Sequence, residues 1–440
     1  MRDFLPVDVR RRQYVIDVVR RTYERYGFEP LETPALENIE TLTGKYGEEG
    51  NKLIFKVLRR GEHESSGETD LALRYDLTVP LARVVAEHRA QLPKFFKRYQ
   101  IQPVWRADRP ARGRFREFYQ CDVDAIGSTS PIVEVELCAA VTDVLRELGF
   151  ADFTLRMNHR AVLSGLRNAA GIDASRHGDA LVAIDKMDKI GRDGVVREFE
   201  HRQIAAASAE RLLDAFTAEG TTAATLARLR ASVTDDAGRA GVENLAAIVS
   251  LASPTSAGSA IRIDPSLARG LSYYTGAIME IAVADLAGSL GGGGRYDGLI
   301  GMFSGEQIPA CGFSLGLERI LVVMAERAMF PASAGVAGPD VLVTIFEDRD
   351  AARTADATRQ SLALATDLRN AGLRVELYPE ADKLGKQFKY AAARAATFAA
   401  VLGGDEIARG EVTLKRLATG DQESVPRGDV AARIRAATSR

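Results

Sequence analysis

Residues 105–120 have the sequence WRADRPARGRFREFYQ and carry five arginines between residues 106 and 116. Neighbouring guanidinium groups repel one another unless anions lie between them, and each can bind phosphate oxygens through a planar, two-pronged contact. Phe118 adds a flat ring on which a base could stack. Strand-like residues on both sides predict an arginine-rich hairpin that binds a nucleoside triphosphate, an RNA end, or both. The alternative is a solvated basic loop, which is the usual fate of a charge run.

The segments around this hairpin predict a sheet. They lead into and out of turns, and they lack the regular strand–helix alternation of a parallel sheet. Strands that return through short arginine-rich or glycine-rich turns predict an antiparallel sheet in an α+β domain. The predicted strands are residues 71–76, 95–105, 117–126, 153–157, 273–283 and 310–315. The predicted helices are residues 7–26, residues 131–148 and one that begins at Gly316.

Two changes in composition divide the chain. Between about residues 165 and 255 the sequence is alanine-rich and helical, with amphipathic stretches at residues 181–199 and 205–218. This predicts a helical insertion within a domain of residues 1–330. Residues 331–339 are small and rich in Pro and Gly, which predicts a linker.

Residues 340–440 alternate strand-like and helical segments. This alternation predicts a small α/β domain with a mixed sheet. Its predicted strands are residues 341–346, 373–378, 398–402, 411–416 and 421–425. Its predicted helices are residues 351–371, 384–395 and 428–438.

Composition excludes several classes of protein. The 440 residues carry a formal net charge of −2, so any contact with nucleic acid must depend on local basic patches. Cys121, Cys138 and Cys311 have no CxxC spacing, which predicts reduced thiols in a cytoplasmic protein. The five histidines lack metal-ligand spacing, so we expect no protein-bound metal. Without a run of about 18 apolar residues or a secretory signal pattern, we expect no membrane partner.

Further segments place polar side chains beside strands or glycines. Residues 73–78 (LRYDLT) carry Asp76 and Thr78 on one side of an extended chain, where they could hold an ammonium group. Residues 268–276 (ARGLSYYTG) and 291–298 (GGGGRYDG) combine glycine with arginine and tyrosine, which allows close approach of a ligand. Arg319 lies one turn inside a helix opened by glycine, within reach of a triphosphate. Taken singly, each segment has a structural alternative: an edge strand, a hairpin with packed tyrosines, or a surface charge.

Together these segments resemble the signature motifs of histidyl-tRNA synthetases, a family of class II aminoacyl-tRNA synthetases. Residues 27–37 resemble class II motif 1, residues 106–118 resemble motif 2, and residues 312–319 resemble motif 3. Residues 269–276 and Gln120, followed by Asp124, resemble the family's histidine-specific segments. The resemblance covers essentially the whole chain. It implies a class II catalytic domain in residues 1–330 and an anticodon-binding domain in residues 340–440.

The resemblance also implies a role for each candidate residue. Arg269 and Arg106 would be the catalytic residues, because both match arginines at the reacting phosphate. The ATP-binding residues would be Arg106, Arg114, Arg116, Phe118 and Arg319, with Phe118 stacked on adenine. The histidine-binding residues would be Asp76, Thr78 and Gln120 at the amino group, Asp124 and Tyr274 at the imidazole ring, Arg269 at the carboxylate, and also Tyr273.

The implied activity joins histidine to tRNA in two steps. Histidine and ATP, with Mg²⁺, would give histidyl-adenylate and pyrophosphate, and the 3′-terminal adenosine of histidine tRNA would then accept histidine. The resemblance further implies a cytoplasmic homodimer. Ser272 departs from the family's usual Asp, and Asp108 replaces the usual motif 2 glutamate. Family members also tend to carry a basic segment before the equivalent of residues 2–4.

Two alternatives share this expected fold. A non-catalytic relative could bind histidine or tRNA as a regulator, although such proteins generally lose phosphate arginines and the anticodon domain. Arg106, Arg269 and Arg319 are all present in this chain. A different class II synthetase is disfavoured by residues 269–276. Substrate activation measured with all twenty amino acids would separate the three hypotheses.

Overall fold

The computed structural model describes residues 1–59, 61, 66–184, 187–216, 220–268, 273–286, 288–335 and 338–438. These residues form two compact units, Met1–Phe330 and Pro331–Arg440. The first unit contains the arginine-rich hairpin and the motif-like segments, and the second contains the C-terminal alternation of strands and helices.

The strands of the first unit form two sheets. In chain order they are β1 (Glu29–Pro30), β2 (Leu36–Asn38), β3 (Lys56–Leu58), β4 (Thr69–Leu73), β5 (Phe96–Trp105), β6 (Glu117–Ile126), β7 (Phe153–His159), β8 (Ile261–Ile263), β9 (Ala277–Val283), β10 (Ser289–Arg295) and β11 (Ala310–Gly316). Within the described residues, the large sheet has the order β1-β5-β6-β11-β10-β9-β7-β8, and the small sheet has the order β2-β4-β3.

The direction of the strands confirms the predicted antiparallel sheet at its centre. Every neighbouring pair from β5 across to β7 is antiparallel. The outer pairs, β1 with β5 and β7 with β8, are parallel, so the whole sheet is mixed. The parallel pairs involve short strands of two and three residues, whose pattern in the sequence is too brief to reveal their direction.

The helices of the first unit pack into two buried clusters with the sheets and fill the connection between β7 and β8. They are α1 (Pro6–Arg25), α2 (Ile39–Leu42), α3 (Gly47–Lys52), α4 (Thr78–Glu87), α5 (Ile132–Glu147), α6 (Arg160–Ala169), α7 (His177–Ile184), α8 (Met187–His201), α9 (Ala206–Phe216), α10 (Thr222–Ser232), α11 (Asp236–Ala252), α12 (Gly301–Ser304) and α13 (Leu317–Glu326).

Strand β6 shows how the sheet acquires one apolar face and one polar face. Side chains alternate along a strand, so Cys121, Val123 and Ala125 share one face. They belong to the same buried cluster as residues of α1, α5 and α13. The opposite face of β6 carries Gln120, Asp122 and Asp124, which are buried polar residues outside that apolar cluster. The functional residues predicted on β6 therefore point away from the main core.

The glycine run at residues 291–294 departs from the prediction. The sequence suggested a glycine-rich turn, but these residues form the middle of β10. Gly292 stands opposite Glu280 on β9 and Ser314 on β11. Hydrogen bonding on both sides offsets the poor strand propensity of glycine, so the turn prediction was wrong at this point.

The region of the predicted helical insertion holds α6 to α11. Leu212 of α9 and Leu245 of α11 belong to the same buried cluster as Met157 of β7, so these helices share the core of the sheet. The predicted helix at residues 181–199 is interrupted at Gly191, where φ is 67°. Residues 185–186 and 217–218 of the two predicted helices lie outside the described residues.

The second unit has the predicted α/β pattern with a mixed sheet. Its strands are β12 (Val341–Val343), β13 (Val375–Leu377), β14 (Phe398–Val401), β15 (Glu411–Arg416) and β16 (Gln422–Pro426). Its helices are α14 (Ala351–Asn370), α15 (Leu384–Ala393), α16 (Gly404–Arg409) and α17 (Val430–Thr438). The strand order is β13-β12-β14-β15-β16, with parallel pairs on both sides of β12 and antiparallel pairs on both sides of β15.

Within the described ranges, no helix is both long enough and apolar enough to cross a lipid bilayer.

Candidate active site

A cleft of about 300 Å³ opens on the polar face of the large sheet. The arginine-rich hairpin between β5 and β6 forms one wall, together with the first residues of α13. The start of α4 and the tyrosines that precede β9 form the opposite wall. The floor comes from β6, β9, β10 and β11. The cleft therefore lies where all five segments singled out in the sequence converge.

Glycine backbone makes the floor of the cleft open. A Cβ atom on Gly292 would meet only the backbone oxygen of Met279, at 3.2 Å, within a radius of 4 Å. A Cβ atom on Gly312 would lie 1.8 Å from Oδ1 of Asp124. Bare backbone at these two positions leaves room for a ligand over β10 and for the Asp124 side chain beside β11.

The tip of the arginine-rich hairpin is a tight turn against α13. The backbone groups of Ala111 and Arg114 bond to each other in both directions, at 3.1 and 2.9 Å. Gly113 within this turn has φ of 68°, in the left-handed region that favours glycine. A Cβ atom on Gly113 would lie 3.2 Å from Cγ of Arg319. The turn thus brings motif 2 side chains and Arg319 to one end of the cleft.

Positive charge is concentrated at that end. The pKa of Arg319 is lowered by burial and, secondarily, by the charges of Arg114 and Arg106. Arg319 donates through Nη1 to the backbone oxygen of Ser289. Arg106 donates through Nε to the backbone oxygen of Tyr75 at 2.9 Å. Three guanidinium groups that repel one another at one end of a cleft would be stabilised by a polyanion between them.

An aromatic stack orients Arg106. Its guanidinium carbon lies 4.3 Å from the centre of the Tyr75 ring and 5.1 Å from the centre of the Phe118 ring. Phe118 also lines the cleft, on the side of the arginine-rich hairpin. The same ring can therefore support the arginine and offer a flat surface to a base.

Buried polar groups form the other end of the cleft. Asp76 accepts hydrogen bonds from the hydroxyl of Tyr46 at 2.9 Å, the hydroxyl of Tyr273 at 3.0 Å and the amide of Val79 at 3.1 Å. Burial raises the pKa of Asp76, and these three donors oppose that rise. A carboxylate held in this way is an acceptor that can also bind a ligand ammonium group.

Gln120 lies between the two ends. Its Nε2 donates to Oγ of Ser314 at 2.7 Å and to Oδ1 of Asp122 at 3.3 Å, and its Oε1 lies 3.5 Å from Nη2 of Arg106. Because both ends of the amide have partners, its orientation is fixed with the carbonyl toward Arg106. Asp122 lies beneath it, and burial raises the pKa of Asp122 to about 7.

Asp124 lies below the floor, next to a buried arginine. Its Oδ2 is 2.8 Å from Nη2 of Arg98, and its Oδ1 accepts a hydrogen bond from the hydroxyl of Tyr296. Burial raises the pKa of Asp124, and Arg98 opposes the rise. Burial also raises the pKa of Tyr274, which lines the cleft above the same strands.

The cleft brings together most of the residues predicted from the sequence. Those that line it are Asp76, Thr78, Arg106, Arg114, Phe118, Gln120, Tyr273, Tyr274 and Arg319. Asp124 lies behind the lining, and Arg116 is exposed on the hairpin, where its Nε donates to the backbone oxygen of Asp108 at 3.3 Å. Arg269 and Ser272 lie outside the described residues.

Four further polar side chains line the cleft and were not predicted from the sequence: Glu280, Ser289, Ser314 and Glu318. Glu280 could have been noticed, since it is the single charge in the apolar strand AIMEIAV of residues 277–283. Glu318 accepts a hydrogen bond from the amide of Tyr119 at 2.9 Å, and burial raises its pKa to about 6. This contact joins α13 to β6 through neighbours of Arg319 and Phe118.

Comparison with known proteins matches both units. A family model for histidyl-tRNA synthetase matches residues 1–320, and a model for an anticodon-binding domain matches residues 340–437. A histidine–tRNA ligase of Porphyromonas gingivalis is 44% identical over 444 residues, covering 97% of this chain and 96% of that relative.

Solved structures match as well. The crystal structure of histidyl-tRNA synthetase from Nostoc sp. PCC 7120 has a TM-score of 0.79 and 31% identity, covering 99% of this chain and 97% of that one. A Bacillus halodurans structure described as an ATP phosphoribosyltransferase regulatory subunit/histidyl-tRNA synthetase has a TM-score of 0.72, covering 92% of this chain and 97% of that one. Its identity of 21% shows a shared fold alone.

Proposed function

Because this chain belongs to the histidyl-tRNA synthetase family, we propose that it is a histidine–tRNA ligase. It activates histidine with ATP, releases pyrophosphate and transfers histidine to the 3′-terminal adenosine of its tRNA. One observation carries the proposal beyond family membership. Arg106, Arg114 and Arg319 meet at one end of a cleft whose other end holds Asp76 and buried tyrosines. That arrangement suits a polyanion beside an amino acid.

The arginine end is proposed to bind ATP. Phe118 stacks on the adenine ring, Arg106 contacts the α-phosphate, and Arg319 contacts the leaving pyrophosphate. Arg114 is the better candidate than Arg116 for the distal phosphates, because Arg114 lines the cleft and Arg116 does not. Each paired arginine–phosphate contact and each base–ring stack is worth on the order of 1–3 kcal/mol.

The proposed chemistry needs positive charge more than it needs a side-chain nucleophile. An oxygen of the histidine carboxylate bonds to the α-phosphorus, and the bond from that phosphorus to pyrophosphate breaks. Two anions must approach each other in this step, and Coulomb repulsion opposes it. Fixed guanidinium groups lower that barrier without having to reorganise during the reaction. Arg106 and Arg319 have backbone acceptors that fix them in the cleft.

The other end of the cleft is proposed to bind histidine. Asp76, Thr78 and Gln120 hold the amino group, and Asp124 with Tyr274 serves the two ring nitrogens. Tyr273 supports this end through its hydrogen bond to Asp76. A substrate without ring nitrogens would leave these buried polar groups unpaired, and sites of this kind discriminate by about 10⁴–10⁵-fold.

Arg269 completes the proposal through the family relationship. Arg269 matches the arginine of histidyl-tRNA synthetases that contacts both the substrate carboxylate and the α-phosphate. Two side chains contact the residues just before Arg269. Nη1 of Arg160 lies 3.5 Å from the backbone oxygen of Ala268. Nδ2 of Asn158 donates a hydrogen bond to the backbone oxygen of Leu267 at 3.0 Å. These contacts support a fixed approach of the chain toward position 269.

Mg²⁺ is proposed to bind to the cleft together with the nucleotide. In the described part of the chain, no three His, Cys, Asp or Glu side chains are grouped so as to hold a metal ion. Mg²⁺ commonly binds one or two carboxylates together with substrate phosphates. Asp108 and Glu280 line the cleft, and both act electrostatically on Arg319, so they fit such an ion. When bound, Mg²⁺ would neutralise phosphate charge.

The remaining partners are proposed from the family and from the domain pattern. Residues 1–330 are the catalytic domain, with the insertion at about residues 165–255, residues 331–339 are the linker, and residues 340–440 bind the anticodon. The hairpin at residues 109–114 and the helical insertion contact the acceptor arm. The active form is a cytoplasmic homodimer, and light scattering of the purified protein would give its mass in solution.

Aminoacylation is the direct experiment for this proposal. Purified protein is incubated with histidine, ATP, Mg²⁺ and histidine tRNA, and charged tRNA is measured. The expected result is charging that depends on ATP and fails with a non-cognate tRNA. Absence of charging by a folded, dimeric preparation would contradict the proposal and favour a regulatory relative.

A further inference from the structure

The floor of the histidine end contains a buried cation that the proposed reaction does not use. Arg98 on β5 is fully buried and stands opposite Asp124 in the pairing of β5 with β6. Its Nη2 lies 2.8 Å from Oδ2 of Asp124 and 3.9 Å from Oδ2 of Asp122. One guanidinium group therefore faces two buried carboxyl groups.

The charges in this cluster do not balance when both acids are ionised. Asp122 and Asp124 are each about 2% exposed, so water screens neither of them. An uncompensated ion in such a place costs several kcal/mol. Burial is the largest influence on the pKa of both acids, and Arg98 opposes it in both cases. Proximity to Asp124 raises the pKa of Asp122 further, which makes Asp122 the acid that holds a proton near neutral pH.

Other elements contribute charge around Asp122. Several ionisable groups interact electrostatically with Asp122. They are Arg98 on β5, Asp124 on β6, Asp76 and Arg74 after β4, Tyr274 before β9, Cys121 on the opposite face of β6, and Tyr23 on α1. The hydroxyl of Ser314 on β11 also bonds to it.

The hydrogen bonds of Asp124 leave one acceptor open. Oδ1 accepts from the hydroxyl of Tyr296. Oδ2, although close to Arg98, has no aligned hydrogen bond from any group in the described residues. An ionised carboxylate only accepts hydrogen bonds, whereas a protonated one presents a hydroxyl donor. Asp124 therefore accepts a ring N–H most strongly while it stays ionised, because the hydrogen bond is then charge-assisted and no hydroxyl competes for the open position.

We propose that Arg98 is a positioning residue for histidine, which keeps Asp124 ionised and fixed as the acceptor of an imidazole N–H. Asp122 balances the charge of the cluster by holding a proton. This inference rests on the proposed function, because it assumes that Asp124 meets the imidazole ring. It adds a residue on β5 to the determinants of histidine binding.

The test compares Arg98→Gln, Asp122→Asn and the double variant with the wild type in ATP–pyrophosphate exchange. Arg98→Gln leaves two buried acids without a cation, so Asp124 becomes protonated and the KM for histidine rises about tenfold or more, while the KM for ATP stays within about twofold. In the double variant, Asp122→Asn replaces an acid that already holds a proton near neutral pH, so the KM for histidine should stay within about twofold of that of Arg98→Gln.

A matched control removes a buried arginine elsewhere. Arg167 in α6 is also buried and bonds to the backbone oxygens of Leu163 and His177. Arg167→Gln should leave the ratio of the two KM values unchanged. Equal rises of both KM values in Arg98→Gln, or a double variant that is worse than Arg98→Gln, would overturn the inference.

Asp122→Asn decides the matter if Arg98→Gln does not fold. Below about pH 6 the wild-type Asp122 is protonated and resembles Asn, so the two proteins should have similar kcat/KM for histidine. Above about pH 8 the wild-type acid is ionised, so the ratio of kcat/KM for histidine between the variant and the wild type should depart from its low-pH value. The titration of free histidine affects both proteins equally and cancels from this ratio. A ratio that is constant across this range would overturn the inference. Exchange by the wild type that fails with histidine would instead overturn the proposed function itself.

Discussion

Gly113 at the tip of the arginine-rich hairpin rests directly against Arg319 at the start of α13, with 3.2 Å between the site of a Cβ atom and Cγ of Arg319. The two residues come from separate motifs, and their contact closes the arginine end of the cleft. Because Gly113 also has a positive φ of 68°, the hairpin can turn at this point and approach the helix only with glycine there. This contact sets the spacing between Arg114 and Arg319.

Gly113→Val should impair ATP binding more than folding. A branched side chain would be strained at this φ and would press on Arg319, so the KM for ATP should rise about tenfold or more. The KM for histidine should change little, because the other end of the cleft is untouched. Gly178→Ala is the control, since Gly178 lies in α7 with open space around it. Unchanged ATP kinetics in Gly113→Val would contradict the role given to this contact.

Arg114 and Arg116 provide a matched pair within one hairpin. Arg114→Ala should lower kcat/KM for ATP by about 10²-fold, because it removes a charge that lines the cleft. Arg116→Ala should cost less than about threefold, because this exposed charge does not line the cleft. Steady-state exchange at varied ATP concentration measures both. The reverse order of effects would show that the distal phosphates lie on the outer side of the hairpin.

Tyr273→Phe removes one of the three hydrogen-bond donors to Asp76. A buried carboxylate that loses a donor costs about 1–3 kcal/mol, so the KM for histidine should rise about tenfold. Calorimetric titration with histidine gives the same quantity without turnover. Tyr390→Phe is a suitable control, because it removes an exposed hydroxyl–carboxylate bond, to Glu376, in the other unit. Wild-type histidine affinity in Tyr273→Phe would argue against Asp76 as the ammonium site.

Much of this cleft could be predicted from sequence because its residues lie within short, regular motifs. The alternation along β6 places Gln120 and Asp124 on the polar face. The glycine run was misjudged because glycine is common in turns, and only its pairing with β9 and β11 makes β10 a strand. Arg98 was missed because its partner Asp124 is fixed by strand register, which is a long-range property. The sequence could not show which of Arg114 and Arg116 faces the cleft, because that depends on the turn at Gly113.

Arg269→Ala should abolish adenylate formation while leaving the protein folded. Its proposed contact with both reacting groups predicts a loss of about 10³-fold or more in exchange. Circular dichroism and the thermal midpoint should match those of the wild type. Near-normal exchange in this variant would refute the role taken from the family match.

His159 should make the stability of the protein depend on pH. Burial, aided by the charge of Arg295, lowers the pKa of His159 from 6.5 to about 4. Its ring accepts a hydrogen bond from the amide of Ala161 at the start of α6, at 3.1 Å, and protonation would remove that acceptor. The unfolded chain binds the proton more readily, so this stability is complete above about pH 6.5 and falls toward pH 4. The expected loss at pH 5 is about 2 kcal/mol.

Chemical denaturation at pH 7 and pH 5 measures this effect. His159→Asn keeps a residue suited to the start of a helix and cannot titrate, so the difference between the two pH values should shrink. His88→Asn changes an exposed histidine and should leave the difference as it is in the wild type. If the free energy of unfolding of His159→Asn differed between pH 7 and pH 5 as much as that of the wild type, other groups would cause the pH dependence.

ATP–pyrophosphate exchange measured with each of the twenty amino acids tests most directly whether this cleft activates histidine. The polar groups around the proposed imidazole site predict exchange with histidine at least about 10³-fold above that with any other amino acid. A comparable rate with a second amino acid would contradict the proposed selection. Absence of exchange with all twenty, in a protein that still binds histidine, would show a binding protein in place of a ligase.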